Sequence, residues 1–240
     1  MNIHYSGDTR DLFKFDLVRH LMKNVAGLER FTFIPMLTEE KIRTGQKKSA
    51  KKDIGRAIRN GSAGTLNREL MEHMGRLQEI DSDMEYFHGV KSYFLREKIL
   101  VDVIHPDTFS HENRRNYFEK MFAQFPARSL IYLDPDIGLE IRSPTRRHLL
   151  YGEVKMIYDR MDASSVLMIY QHFPRRDHAE YIRKRCNELA AITGAGPVAV
   201  TDNEIVFFLL AKDPANEKKL PDVAADYAKK YSAVSAVGPV

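Results

Sequence analysis

Ser129-Leu130-Ile131-Tyr132-Leu133-Asp134-Pro135-Asp136-Ile137-Gly138-Leu139-Glu140 is the stretch that decides the fold. An apolar, β-forming run ends abruptly in three acids, a proline and a glycine. A buried strand that empties into a polar turn at its carboxyl end is where open α/β sheets keep their chemistry. A second apolar run, Ser165-Val166-Leu167-Met168-Ile169-Tyr170, ends the same way, in Gln171-His172-Phe173-Pro174. As neighbouring strands, the two would bring Asp134, Asp136, Glu140, Gln171 and His172 around one crevice.

Around these strands the chain alternates. Asp8 is placed to cap a helix whose apolar face carries Leu12, Phe13, Phe15, Val18, Leu21, Met22 and Val25, ending near Gly27. Lys14 falls inside that pattern and reads as a surface lysine snorkelling along it. Phe31–Leu37 reads as the first strand, with Pro35 marking a rim. The spacing predicts helices over 66–78 and 83–96, a strand over 99–104, a helix over 111–125 capped by Ser110, and helices over 148–161 and 177–191. Val198–Thr201 and Ile205–Ala211 read as a hairpin turning at Asp202-Asn203, and Asn203 tolerates the positive φ such turns use. A short Ala-rich helix near 221–230 and a loose tail over 231–240 complete the chain. Alternating strands and helices argue for a Rossmann-like, mainly parallel sheet with helices on both faces and a C-terminal antiparallel hairpin. All 240 residues read as one domain, with a basic insertion near 41–61.

Composition narrows the class. Apolar content of 43% and charged content of 29% describe a globular chain. No apolar run approaches the roughly 20 residues that span a bilayer. The early acid Asp8 does not suit a signal peptide, and a cytoplasmic location is the expectation. The single cysteine, Cys186, rules out an intrachain disulfide and reads as a helix-interior thiol. The net charge of +4 is concentrated: between Lys41 and Arg59 lie eight cations, including Lys47, Lys48, Lys51 and Lys52, against Asp53 alone. Such a cluster suits phosphate backbones, so DNA or RNA is the partner it points to.

Gly7-Asp8…Phe13-Lys14, Asp134-Pro135-Asp136-Ile137-Gly138-Leu139-Glu140 and Tyr170-Gln171-His172-Phe173 resemble a poorly characterised bacterial and phage family. More distantly the chain is similar to the class I S-adenosylmethionine-dependent methyltransferases of the ribosomal RNA adenine-N6 type. In that comparison Lys14 matches the lysine of a Lys-His pair, and Phe15 replaces the histidine. Ile104-His105-Pro106 matches a Leu-His-Pro step, and Asp134-Pro135 begins the Asp-Pro-Pro-Tyr motif. Asp136 stands for its second proline and Ile137 for its base-stacking aromatic. The glycine-rich turn expected after the first strand is absent, and so is one strand between residues 60 and 98.

The resemblance implies a methyltransferase acting on a base amino group. Asp134, Pro135, Asp136 and His172 would be its catalytic residues, and Tyr5, Asp8, Lys14 and Asp102 would hold S-adenosylmethionine. Phe173 or Tyr170 would supply the missing stacking surface. Two other readings stand beside it. Asp134, Asp136 and Glu140 offer hard oxygen ligands for magnesium, with His172 as base, as in a metal-dependent nuclease or phosphodiesterase. A methyltransferase-fold protein that binds nucleic acid or a partner without catalysis is the third.

Overall fold

The computed structural model describes residues 7–38, 54–80, 82–104, 108–175 and 177–239, with residues 54–56 as backbone alone. Its helices are α1 (Thr9–Asn24), α2 (Ile54–Arg59), α3 (Arg68–Leu77), α4 (Asp83–Arg96), α5 (Arg114–Phe122), α6 (Tyr151–Arg160), α7 (His178–Thr193) and α8 (Pro214–Ala228). Its strands are β1 (Arg30–Pro35), β2 (Leu100–Val103), β3 (Ser129–Asp134), β4 (Gly138–Leu139), β5 (His148–Leu149), β6 (Val166–His172), β7 (Val198–Thr201), β8 (Ile205–Ala211) and β9 (Ser235–Val237).

Seven strands form one sheet in the order β2-β1-β3-β6-β8-β7-β9. β2, β1, β3 and β6 are parallel, and β8 runs against both β6 and β7. β8 is therefore a reversed strand between two that run alike. The fold is Rossmann-like, as the alternation implied. The chain steps outward from β1 to β2 and then returns to β3 on the other side of β1. The switch point, where such sheets place their ligands, thus lies between the carboxyl ends of β1 and β3.

The period-two alternation of each strand divides the core. Leu130, Tyr132, Met168, Phe207 and Leu209 face one side, against α1, α3, α4 and α8. Ile131, Leu133, Ile169, Phe208 and Leu210 face the other, against α5, α6 and α7. Both layers are shielded from water, which is why the inner strands read as continuous apolar runs. No helix among the described residues is long and apolar enough to cross a membrane.

Several boundaries differ from the sequence reading. α5 starts at Arg114, because the Ser110 and Asn113 side chains bond each other's backbone N–H groups and hold a turn before it. His148 and Leu149 form β5, a parallel partner for β4, instead of opening a helix. β6 runs on through Gln171 and His172. α8 begins at Pro214 behind an Asp213 cap and continues through Pro221, because Leu220, Ala224 and Tyr227 are buried on the α1 side. The segment read as a loose tail contains β9, which pairs with β7. Between residues 60 and 98 the described residues form helices and turns, with no strand.

Candidate functional site

Asp134 shares its strand face with Tyr132, so it turns toward α1. There it meets Lys14, which projects from the first turns of that helix. Lys14 Nζ donates to Asp134 Oδ2 at 2.8 Å and to Asp11 Oδ1 at 2.7 Å. Asp11 Oδ2 in turn accepts from the Gly7 N–H at 2.7 Å and from the Tyr86 hydroxyl at 2.6 Å. Lys14 is 4% exposed and Asp134 3%, so the expected surface lysine is instead the centre of a buried network. The rings of Phe15, Phe33, Tyr132 and Tyr170 surround the ammonium at 5.5–5.9 Å. Burial acts against the charge on Lys14, but Asp11 and Asp134 outweigh it and hold the pKa above the ordinary lysine value. Burial, with Asp134 adding to it, pushes the Tyr132 hydroxyl well up as well.

Asp136 belongs to a different contact. Its Oδ2 accepts from Thr38 Oγ1 at 2.7 Å and from Arg147 Nε at 3.0 Å. The Thr38 bond ties the exit of β1 to the exit of β3 across the switch point. Burial opposes the Asp136 carboxylate, yet the attractions of Thr38 and Arg147 are among those that prevail, and its pKa falls below the ordinary value. Glu140 lies elsewhere again, half-buried beyond β4. Among the described residues no three His, Cys, Asp or Glu side chains group as a metal site, so the acids expected to bind magnesium do not converge.

Of the residues expected to hold S-adenosylmethionine, Asp8, Lys14 and Asp102 are described, and each is engaged within the protein. The Asp8 carboxylate caps α1, accepting from the N–H groups of Arg10 and Asp11. Lys14 is engaged as described. Asp102 lies on β2 and pairs with Arg30 Nε at 3.1 Å. Where a glycine turn would let the backbone approach a cofactor, the chain has Met36, 1% exposed, and Leu37, whose carbonyl accepts from the Phe109 N–H. Tyr5, Lys47, Lys48, Lys51, Lys52 and His105 lie outside the described residues.

β3 and β6 are neighbours, as expected, but their tips do not make one crevice. Glu140, Gln171, His172 and Phe173 line a cleft of about 910 Å³ on the α6–α7 side, and Asp134 and Asp136 do not. Strand alternation accounts for part of the division, since it turns Asp134 to the face of Tyr132 and Gln171 to the face of Ile169. Gln171 shapes the cleft wall. Its Oε1 accepts from the Leu139 N–H at 2.7 Å and its Nε2 donates to the carbonyls of Ile137 and His172. Gly138, at φ +128°, passes so close that a Cβ there would sit 2.4 Å from the Gln171 amide. His172 Nε2 shares a 2.8 Å hydrogen bond with the Tyr170 hydroxyl, and Phe173 stacks on His178 at 3.8 Å.

Sequence reasoning missed the other wall. Tyr181, Lys184, Arg185 and Glu188 line it from α7, facing Tyr151 of α6. Their spacing of three, four and seven is the signal that could have found them: a polar and aromatic stripe on one helix face. Arg185 donates to the hydroxyls of Tyr181 (3.0 Å) and Tyr151 (2.6 Å) and to Glu188 (2.9 Å), and Tyr151 also donates to Glu188. Cys186, next to it, faces the core, and burial pushes its thiol up to about 11.

Compared with known protein families and with curated proteins, the chain matches none.

Proposed function

We propose that the chain is a nucleic-acid-binding protein built on a methyltransferase-like sheet, in which Asp134 serves the fold and does not transfer methyl groups. The closed Lys14–Asp134 pair carries this reading. Asp134 is 3% exposed and Lys14 occupies its Oδ2, so a target amine would have to reach a carboxylate that is closed off from solvent and already neutralised. Lys41–Arg59, with eight cations and one acid, supplies the phosphate-binding charge.

The reading is tested by calorimetry with S-adenosylmethionine, alongside anisotropy of labelled single-stranded DNA and RNA. No heat is expected from the cofactor, and oligonucleotide binding should weaken steeply with salt. Replacing Lys47, Lys48, Lys51 and Lys52 together by Gln should lower the salt slope by up to about 3, at roughly 0.7 per phosphate contact on a single strand. Absence of oligonucleotide binding at low salt would overturn the proposal.

A base-amine methyltransferase is the second reading. It is favoured by the meeting of Lys14 and Asp134, 120 positions apart, which the resemblance assigns to a single site. Cofactor binding together with methyl transfer that is lost in Asp134→Asn would establish it in place of the first.

A further inference from the structure

The cleft between β4, the end of β6 and α7 is independent of the Lys14–Asp134 centre, and two of its groups, one nitrogen of Arg185 and the Glu140 carboxylate, are chemically uncommitted. Arg185 is 6% exposed, and its Nε and Nη1 are used in holding Tyr181, Tyr151 and Glu188. Its Nη2 has no hydrogen-bond partner among the described residues, although the side chain lines the cleft. A buried guanidinium held on two of its nitrogens is a rigid fork, and the third nitrogen is ready for an anion. Lys184, the next residue, also lines the cleft with its side chain 60% exposed, 3.8 Å from Glu188. Glu140 is half-buried in the same cleft, and its carboxylate has no hydrogen bond or ion pair to a described residue. Phe173 adds an aromatic surface, braced from behind by His178. The volume of about 910 Å³ lies in the range of small-ligand sites, about 300–1,000 Å³.

A ligand that satisfies all of these carries an anion, a flat ring and an exposed N–H donor. We propose that the cleft takes one nucleotide, its phosphate against Arg185 and Lys184, its base against Phe173, and the amino group of cytosine, adenine or guanine donating to Glu140. This rests on the nucleic-acid reading above and names the unit that is read. Uracil presents a carbonyl where cytosine presents its amine, so Glu140 disfavours it. Glu188 does not repel the phosphate strongly, because Arg185 and Tyr151 already hold it.

The test is calorimetry of the full chain with CMP, AMP and UMP. CMP and AMP should bind at least about tenfold more tightly than UMP, the discrimination expected of one good polar pair. Glu140→Gln should erase that preference, since an amide can donate as well as accept. Lys184→Gln should weaken all three about threefold or more, with the thermal midpoint moved little because the pair it removes lies at the surface. No heat from any nucleotide at millimolar concentration, or affinities indifferent to both substitutions, would overturn the cleft assignment. Oligonucleotide binding that persists in that case leaves the nucleic-acid reading standing. Nucleotides that bind where oligonucleotides do not remove the nucleic-acid reading and leave the cleft.

Discussion

Lys14 shows how far a single side chain can be misjudged from its neighbours. Flanked by Phe13 and Phe15 on a helix, it has the pattern of a surface lysine. Asp11 could be paired with it from helical spacing, but Asp134 could not, because only the sheet brings the end of β3 under α1. Removing one member of such a buried set is costly. Lys14→Met should destabilise the protein by about 3–5 kcal/mol in urea unfolding, and Asp134→Asn in the Lys14→Met background should cost much less than it does alone. Additive losses would refute the coupling. Two other acids bear on pH with opposite signs. Asp136 has its pKa depressed in the fold, so its stabilisation is present above its ordinary value of 3.8 and is lost as pH falls through the lowered one. Asp8, raised chiefly by burial and then by Asp11, favours the fold at low pH and loses that contribution as pH rises through its raised value. Asp136→Asn should therefore flatten the fall in urea midpoint as pH drops below the ordinary aspartate value of 3.8. An unchanged profile would assign the acid sensitivity to other carboxylates.

At the scale of elements, the inner strands β1, β3 and β6 and the β7–β8 hairpin were legible, because burial on both faces leaves continuous apolar runs and Asn203 sits at the turn with φ +66°, whereas the short β4, β5 and β9 carry no such run. Helix ends were less so. Ser110 with Asn113, and Thr145 with His148, make local side-chain bonds that compete with the helix, and nothing in apolar spacing reports them. The candidate site divided along the same line: residue types at strand tips were readable, but the face each one takes follows from the sheet, and the Arg185 wall comes from a helix that carries no strand-tip signal. The Gly138–Gln171 clamp joins the two strand exits. Gly138→Ala should cost about 1–3 kcal/mol in thermal unfolding, from the positive φ and the contact with the Gln171 amide. Measured against Gln171→Ala alone, Gly138→Ala should cost less, because the contact is gone. A neutral Gly138→Ala would show that the loop gives way.

For the molecule as a whole, the sheet's far edge is guarded by three residues. β9 pairs with β7 and covers a strand buried along its entire length. Deleting residues 235–240 should lower the urea midpoint and make light scattering at high protein concentration rise, because the β7 edge becomes available to other copies. A truncated chain that stays monodisperse would assign edge protection elsewhere. The reversed strand β8 has a further consequence, which concerns time. Translation delivers β1 and then β2, β3 and β6, each of the last three finding a parallel partner already made, but the other edge of β6 has no mate until Ile205–Ala211 has left the ribosome. During synthesis the nascent protein therefore carries an apolar open strand at what becomes the middle of its sheet until β8 is delivered. In this interval chaperone occupancy would decide yield, so substitutions that slow closure of the β7–β8 turn should reduce the soluble fraction made by the cell more than they reduce the stability of the finished protein.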